Sequence, residues 1–291
     1  NPKDNESRFA LALVYLQLNK DGQGEEIFEG LLDDPQLGAQ ARFYLGKIEE
    51  KRGKVQKALA WYDKVSDGAM AFDASVSAIS LLAKDKQFSE AESRLSLLPS
   101  KYPKQTVRIL LLQSELYNQQ KQYQKAFDLL TAALVERPDE KDLLYTRALM
   151  AERIGKFDLL EADLKKILAK NPDNAEALNA LGYTLVDKTD RYAEAERYLK
   201  RALELTPGEA VIMDSYGWLQ FKLGNLSKAL DYLQRAYAKQ QENEIAAHLA
   251  EVLWMMGRKD EARKLFREAV KNAPEDEYLL DFKKRILDKV Q

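Results

Sequence analysis

The stretch Ala175–Pro207, AEALNALGYTLVDKTDRYAEAERYLKRALELTP, decides the fold. Its apolar residues recur at helical spacing in two blocks, with a short polar turn between them. In the second block, Ala195, Leu199 and Ala202 lie at i, i+4 and i+7, which places them on one face of a helix. The stretch therefore predicts two short amphipathic helices joined by a turn.

This spacing recurs along all 291 residues. The residue that opens the second helix of each copy returns at intervals of 34, 33, 35, 34, 35, 34 and 33 residues. It is small or apolar in every copy: Gly24, Ala58, Ala91, Ala126, Leu160, Ala195, Ala229 and Ala262. A large apolar residue follows four positions later: Phe28, Tyr62, Leu95, Leu130, Leu164, Leu199, Leu233 and Phe266. A third small or apolar residue follows three positions after that: Leu31, Val65, Leu98, Ala133, Ile167, Ala202, Ala236 and Ala269. Eight copies in step predict a repeat array of helical hairpins.

The first helix of each copy and the turn after it carry their own signals. A small residue in the first helix lets the partner helix approach closely, at Ala12, Gly46, Ser114, Ala148, Gly182, Gly217 and Ala250. Glycine in the turn predicts a left-handed residue that closes the first helix, at Gly53, Gly155, Gly224 and Gly257. Proline often ends the second helix, at Pro103, Pro138, Pro172, Pro207 and Pro274.

A period near 34 with Leu-Gly, a later Tyr, an Ala, an aromatic residue and then Pro resembles the tetratricopeptide repeat (TPR) pattern. The resemblance implies an all-α fold, a TPR helical-hairpin solenoid that curls into a right-handed superhelix. Residues 1–274 then hold eight TPR units, at about 5–38, 39–71, 72–106, 107–140, 141–174, 175–209, 210–242 and 243–274. Residues 275–291 read as a polar amphipathic helix that caps the last repeat.

The composition argues against several classes of function. With 45 basic and 47 acidic residues, the chain lacks the basic surplus of a nucleic-acid binder. Cysteine is absent and His248 is the single histidine, so the sequence predicts neither a metal site nor a Ser-His or Cys-His pair. His248 is expected to be a partly packed or surface imidazole. We therefore predict no catalysis, no catalytic residues and no cofactor.

The family resemblance implies where a partner binds. In TPR arrays the first helix of each unit lines the concave side, and its second, fifth, ninth, twelfth and thirteenth positions face the groove. Carried onto this sequence, those positions predict a protein-binding groove formed by Phe9, Phe43, Arg108, Tyr145, Arg153, Asn179, Tyr183, Asp187, Asp214, Trp218, Phe221, Lys222, Glu251, Trp254 and Met255. Aromatic residues exposed on such a surface would indicate protein binding.

One segment is more specific than the general repeat. Leu181-Gly182-Tyr183-Thr184-Leu185 followed by Asp214-Ser215-Tyr216-Gly217-Trp218 resembles a group of proteobacterial TPR proteins, several of which are outer-membrane lipoproteins. Within that group the chain looks like the adaptor of a carboxyl-terminal processing protease. The resemblance implies a scaffold that tethers this protease and its substrates, the cell-wall (peptidoglycan) hydrolases, in the periplasm. Membrane attachment would then come only through an N-terminal lipid anchor.

Two other classes stay open from the sequence. One is a cytosolic TPR assembly factor or regulator with an unrelated partner, and the other is a scaffold of a secretion or pilus system. Asn1-Pro2 matches the close of a repeat, as at Asn171-Pro172, so further repeats are expected upstream. The resemblance to the outer-membrane lipoproteins implies a signal peptide and a lipidated Cys there as well. A lipobox Cys there would decide for the cell envelope.

Overall fold

Every amphipathic segment that the repeat predicts is a helix in the computed structural model, which describes residues 4–288. No strand occurs within that range, so the all-α prediction is confirmed. The chain divides into two compact units, Asn1–Ile154 and Gly155–Gln291. The division falls inside the predicted fifth repeat, and the eight repeat boundaries themselves stay a prediction.

The first unit contains ten α-helices among its described residues. They are α1 (Asn5–Gln17), α2 (Asp21–Glu29), α3 (Gly38–Lys51), α4 (Val55–Tyr62), α5 (Ala71–Lys84), α6 (Phe88–Ser96), α7 (Leu98–Lys101), α8 (Thr106–Gln119), α9 (Tyr123–Glu136) and α10 (Lys141–Arg153). A 3₁₀ turn, Pro103–Gln105, precedes α8. Consecutive helices pack as antiparallel neighbours, α1 on α2, α3 on α4 and α5 on α6.

The second unit contains eight α-helices among its described residues. They are α11 (Phe157–Lys170), α12 (Ala175–Lys188), α13 (Tyr192–Leu205), α14 (Ala210–Lys222), α15 (Leu226–Lys239), α16 (Asn243–Met255), α17 (Lys259–Asn272) and α18 (Glu277–Phe282). The hairpins here are α12 with α13, α14 with α15 and α16 with α17. First helices also pack on one another, α12 on α14 and α14 on α16.

The three recurring positions of the second helices, at i, i+4 and i+7, form a stripe that packs in the core between the helices. All eight large residues of the stripe, from Phe28 to Phe266, are buried, and so is the small residue that opens each second helix. Ala133 departs from the pattern because it is half-buried, and its neighbour Leu134 is buried in its place. The buried side chains form separate clusters along each unit, as expected when each repeat contacts mainly its neighbours.

Most turns within the hairpins close in the same way. Gly53 has φ +71°, its N–H donates to the Glu50 carbonyl, and the N–H of Lys54 donates to the Glu49 carbonyl. This is the Schellman arrangement, and the prediction of left-handed glycines is confirmed at Gly53, Gly155, Gly224 and Gly257. Non-glycine residues make the same bend in three hairpins, at Asn19, Lys86 and Lys121.

The second helices differ in length along the chain. Those of the first three predicted repeats, α2, α4 and α6, have 9, 8 and 9 residues. From α9 onward each second helix has 14 residues. The 34-residue period does not reveal this difference. In the short copies, residues that would extend the second helix form turns, so the total length of the repeat stays the same.

The C-terminal segment is partly helical. Asp276 caps α18 by accepting from the N–H groups of Tyr278 and Leu279, and Leu279 and Phe282 are fully buried beside Phe266. A π-helical turn over 283–287 continues the segment. Residues 289–291 of the predicted capping helix lie outside the described residues.

Candidate protein-binding surface

The predicted groove residues of the second unit lie on three adjacent first helices, α12, α14 and α16. Side-chain contacts connect these three helices, and we call the surface that they share the first-helix face. Its members are Asn179, Tyr183, Asp187, Asp214, Trp218, Glu244, His248 and Glu251. The sequence analysis did not name Glu244, although it occupies the second repeat position of its unit. It also missed His248, which occupies the sixth repeat position and not a predicted groove position.

A hydrogen bond joins the two outer helices of this face. The phenol of Tyr183 on α12 donates to Glu244 Oε1 on α16 over 2.6 Å. Burial, together with the charges of Glu244 and Asp187, raises the pKa of Tyr183 well above its usual value. The phenol therefore keeps its proton and acts as a donor. This contact crosses the intervening helix α14 and holds α12 and α16 at a set separation.

A buried ion pair joins α14 and α16. His248 Nδ1 lies 3.0 Å from both carboxylate oxygens of Asp214, and both side chains are almost wholly buried. Burial alone lowers the pKa of an imidazole, but the charge and hydrogen bond of Asp214 outweigh it and raise the pKa of His248 above its ordinary value. Glu244 and Asp187 add to this increase. The imidazole is thus packed and paired, and the expectation of a partly packed or surface position is wrong.

Trp218 lies against this pair. Its ring stacks on His248 at 4.0 Å between centroids and on Phe221 at 4.8 Å, and the Lys222 ammonium lies 5.0 Å from its centroid. Only 3% of Trp218 is exposed, and its Nε1 has no hydrogen-bond partner among the described residues. The expectation that Trp218 is an exposed aromatic is therefore wrong, because the ring packs between α14 and α16.

Trp254 is also buried. It is 8% exposed, and two cations cover its ring, Lys259 at 5.2 Å and Arg263 at 5.1 Å from the centroid. Its neighbour Met255 is 57% exposed at the end of α16. Of these two adjacent predicted groove residues, Trp254 is therefore part of the packing and Met255 is exposed to solvent.

Three polar residues of the predicted groove are likewise buried. Glu251 accepts from both terminal nitrogens of Arg285, at 2.8 and 2.6 Å, so α16 is tied to the C-terminal segment. Asp214 pairs with His248, and Asn179 Oδ1 is buried with no hydrogen-bond partner among residues 4–288. Asp187 is half-buried and lies 2.6 Å from Lys188.

The predicted groove residues of the first unit lie in several different surroundings. Phe9 packs edge-on against Phe28, and Phe43 is buried beside Tyr62, so both belong to the core. Arg108 is exposed, and its Nη2 lies 2.6 Å from Asp73 Oδ1. The remaining two are Tyr145, which is half-buried, and Arg153, which is exposed with its guanidinium 5.8 Å from the Tyr123 ring.

The first unit also contains a cavity of about 210 Å³ beside the short helix α4. Its apolar lining includes Val65, Ala78 and Ile79, and its polar lining includes Asp63 and Arg94, which are 2.6 Å apart. The cavity lies where α4 stops at Tyr62. Sequence reasoning missed it, because the repeat pattern predicts a longer second helix there.

The described residues offer neither a metal site nor a membrane span. No group of three or more His, Cys, Asp or Glu side chains in residues 4–288 is placed to hold a metal ion. Across the same part of the chain, no helix combines the length and apolar character that a bilayer span requires.

Known proteins share this architecture. A TPR repeat-containing protein of Pseudomonas aeruginosa is 36% identical over 211 residues, which is 72% of this chain and 36% of that protein. The chain thus spans about a third of the length of this relative. The crystal structure of a thermophilic TPR protein from Thermus thermophilus matches with a TM-score of 0.55 and 26% identity, over 63% of this chain and 98% of that one. PilW, a type IV pilus biogenesis factor, matches in fold with a TM-score of 0.57 and 18% identity, over 74% of this chain and 99% of that one.

Two family models described as tetratricopeptide repeat match the sequence. One covers residues 77–275 and the other covers residues 9–71. The helices pack in pairs, and the apolar positions that recur about every 34 residues are buried. Together with these observations, the matches establish the fold as a helical-hairpin solenoid. Proteins with such repeats generally act as non-catalytic scaffolds for other proteins. The chain belongs to the tetratricopeptide repeat family.

Proposed function

We propose that the chain is a non-catalytic scaffold that binds a protein partner at the carboxyl ends of α14 and α16. The observation that carries this proposal is the exposure of Lys222 and Met255 directly beside buried tryptophans. Phe221 is half-buried, and its ring stacks on Trp218. We call Phe221, Lys222 and Met255 the end patch.

The end patch has the features of a recognition surface. Met255 offers a flexible apolar side chain to a partner, and Lys222 offers a charge that is already held over the Trp218 ring. The buried pairs Asp214–His248 and Tyr183–Glu244 support the helices beneath it, so the patch is organised before a partner arrives. A preorganised surface loses less conformational entropy on binding.

A pull-down from cell-envelope extract tests this surface. The double variant Lys222→Glu and Met255→Ala should lose the partners that the unchanged protein recovers. Its free energy of unfolding should fall only by about 0.5–1 kcal/mol for the lost cation–π contact with Trp218, because both residues are exposed. Lys200→Glu, on the exposed side of α13, is the matched control. Recovery of the same partners by the double variant would overturn the proposal. Trp218→Ala is unsuitable here, since removing a buried ring also destabilises the fold.

We further propose that the partners are a periplasmic carboxyl-terminal processing protease and its peptidoglycan hydrolase substrates. The support is the resemblance carried by the motifs at 181–185 and 214–218. A scaffold of this kind acts by tethering, because holding the protease and substrate on one chain raises their effective concentration. With purified components, the protein should speed degradation of the hydrolase, and the end-patch variant should not. Equal degradation rates with and without the protein would contradict the adaptor role.

The same proposal places the protein in the periplasm, attached to the outer membrane through a lipid anchor upstream of this sequence. Fractionation of cells that express the full-length gene product tests this location. Recovery in the cytosolic fraction, or capture of secretion or pilus proteins in place of the protease, would favour the alternative of a TPR assembly factor.

A further inference from the structure

One aromatic ring connects the buried ion pair of the first-helix face to the end patch. Trp218 stacks on His248 at 4.0 Å between centroids, with 16° between the ring planes, and on Phe221 at 4.8 Å. The Lys222 ammonium lies 5.0 Å from the centroid of the same indole ring. Since the two distances share one centroid, the imidazole and the ammonium lie within about 9 Å of each other, a separation at which charges interact inside a protein.

The ring that touches both groups is shielded from water. Trp218 is 3% exposed, and the side chains of His248 and Asp214 are 8% and 5% exposed. Bulk water and salt weaken the interaction between charges, and both are excluded from such a place. A change of charge on the imidazole therefore acts on Lys222 more strongly than a similar change on the open surface would.

Titration of His248 changes the charge of the pair and leaves its hydrogen bond in place. Nδ1 lies 3.0 Å from both carboxylate oxygens of Asp214, so it can donate to them in the charged and in the neutral imidazole. The titrating proton then leaves from Nε2. With this proton the pair has no net charge, and without it the pair carries one negative charge.

Other charged and titratable groups face the imidazole from each helix packed against it. From α12 they are Tyr183 and Asp187, from α14 Asp214 and Lys222, and on α16 itself Glu244 and Glu251, the last of which is paired with Arg285. Carboxyl groups ordinarily titrate near about pH 4 and lysine side chains near about pH 10. Burial and nearby carboxylates raise the pKa of Tyr183, so its phenol keeps its proton. His248 is thus the member of this group that changes charge near neutral pH.

The end patch has the composition of a site for an acidic protein segment. Lys222 is its one charged member, and Phe221 and Met255 offer apolar surface beside it. The residue before Met255 is Trp254, whose ring is covered by Lys259 and Arg263. A segment that carries carboxylates next to an apolar side chain complements this arrangement.

We propose that the charge on His248 regulates the end patch, which binds an acidic protein segment more tightly when the imidazole is protonated. This inference rests on the proposed function of the end patch. Loss of the proton leaves a negative charge beneath the patch, which draws Lys222 toward the indole ring and repels the segment. For charges about 12 Å apart, an effective dielectric constant of about 20 to 80 gives a change of about two- to tenfold in affinity.

A proton NMR titration tests the coupling without any partner. His248 is the single histidine, so in protein without a histidine tag the imidazole signals report on this residue alone. Lys222→Glu should raise the titration midpoint, because a negative charge near the ring favours the imidazolium, and Lys222→Met should raise it less. Lys200→Glu, an equal change of charge on the exposed side of α13, should leave it unchanged. The same midpoint in all four proteins would overturn the proposal.

An acidic probe tests the consequence for binding. The probe is a fluorescently labelled hexapeptide of alternating Glu and Leu, whose carboxylates stay ionised above about pH 6. Fluorescence anisotropy should show affinity about two- to tenfold higher one pH unit below the His248 midpoint than one unit above it. By reciprocity, saturating probe should raise the NMR midpoint of His248.

Two variants separate regulation from folding. In His248→Gln the affinity for the probe should no longer depend on pH. Asp214→Asn keeps the imidazole and removes the charge that favours its protonated form, so the midpoints of the NMR titration and of probe binding should fall together. A side chain that only supports the fold would not move these two midpoints in parallel. Midpoints that move independently would therefore refute the regulation.

The outcomes distinguish this inference from the proposed function. Probe binding that is lost in the Lys222→Glu and Met255→Ala double variant but is equal at both pH values would retain the end patch and overturn its regulation. Failure of the probe to bind at either pH, together with loss of natural partners in the double variant, would overturn the acidic partner alone. Recovery of the same natural partners by the double variant would overturn the proposed function itself.

Discussion

The hydroxyl of Tyr183 and the carboxylate of Glu244 lie 2.6 Å apart although 61 residues separate them in the chain. The contact joins α12 directly to α16, two hairpins further along. Neighbouring repeats account for most contacts in such an array, so a contact that skips a repeat limits how far the three first helices can move apart. Residues that the repeat positions assign to a groove thus hold the second unit together.

Removing this contact should destabilise the second unit. Tyr183→Phe keeps the ring and removes the hydrogen bond to the Glu244 carboxylate, so we expect a loss of about 1.5–3 kcal/mol in the free energy of unfolding, as for a hydrogen bond to a charged group. Urea unfolding measures this loss. Tyr192→Phe removes a hydroxyl that meets Asp190 at the surface and should change stability little. Equal effects of the two variants would contradict the role of the Tyr183 contact.

The His248–Asp214 pair should make stability depend on pH. The pKa of His248 is raised in the folded state, by Asp214 with contributions from Glu244 and Asp187 and against the effect of burial. The pair therefore stabilises the fold fully below the unfolded-state pKa of about 6.5 and loses this contribution as the pH rises through the folded-state pKa.

Thermal unfolding between pH 5 and 10 tests this sign. The unfolding temperature should fall as the pH rises from about 6.5 through the folded-state pKa of His248, and His248→Gln should flatten the profile there. Each unit by which the pKa is raised corresponds to about 1.4 kcal/mol. A profile of the unchanged protein that rises through the same interval would show that the folded-state pKa is lowered instead. Tyr183, which also faces the imidazole, keeps its proton throughout because its own pKa is raised.

Gly182 should tolerate no side chain. A Cβ at this position would lie 2.6 Å from Leu199 Cγ and 2.8 Å from Leu199 Cδ2, which is closer than van der Waals contact. Gly182→Leu should therefore destabilise the α12–α13 hairpin by about 1–3 kcal/mol or more. Lys200→Leu lies on the exposed side of α13 and should have a much smaller effect. Near-equal melting shifts would contradict the assigned helix faces.

Lys121 and Gly53 should respond in opposite directions to substitution. Lys121 has φ +58° at the turn after α8, so Lys121→Gly should relieve strain and stabilise the protein by about 1 kcal/mol. Gly53 has φ +71° with open space around it, so Gly53→Ala should destabilise by a similar amount through backbone strain alone. Thermal unfolding of both variants measures the two changes in stability. A stabilising Gly53→Ala would show that the turn after α3 adopts a different conformation in solution.

The candidate site could be predicted only in part. Repeat position places Tyr183, Asp214 and Trp218 on first helices that face one side, and the structure has them there. The exposure of these side chains could not be predicted, because it depends on contacts with other hairpins. Trp218, for example, is covered by His248, which lies 30 positions away in the sequence. The burial and pairing of His248 could not be predicted either, since a single histidine on a helix does not indicate which residues of other helices surround it.

The sequence by itself determined the local structure. The spacing of Ala195, Leu199 and Ala202, repeated in every hairpin, dictates which side of each helix is buried, because helical periodicity and hydrophobic burial act between residues a few positions apart. The tertiary structure alone decided which polar and aromatic residues of α12, α14 and α16 meet. Burial, pKa and hydrogen bonding depend on distances across hairpins, and those distances arise only when the repeats stack, as the contact of Tyr183 with Glu244 illustrates.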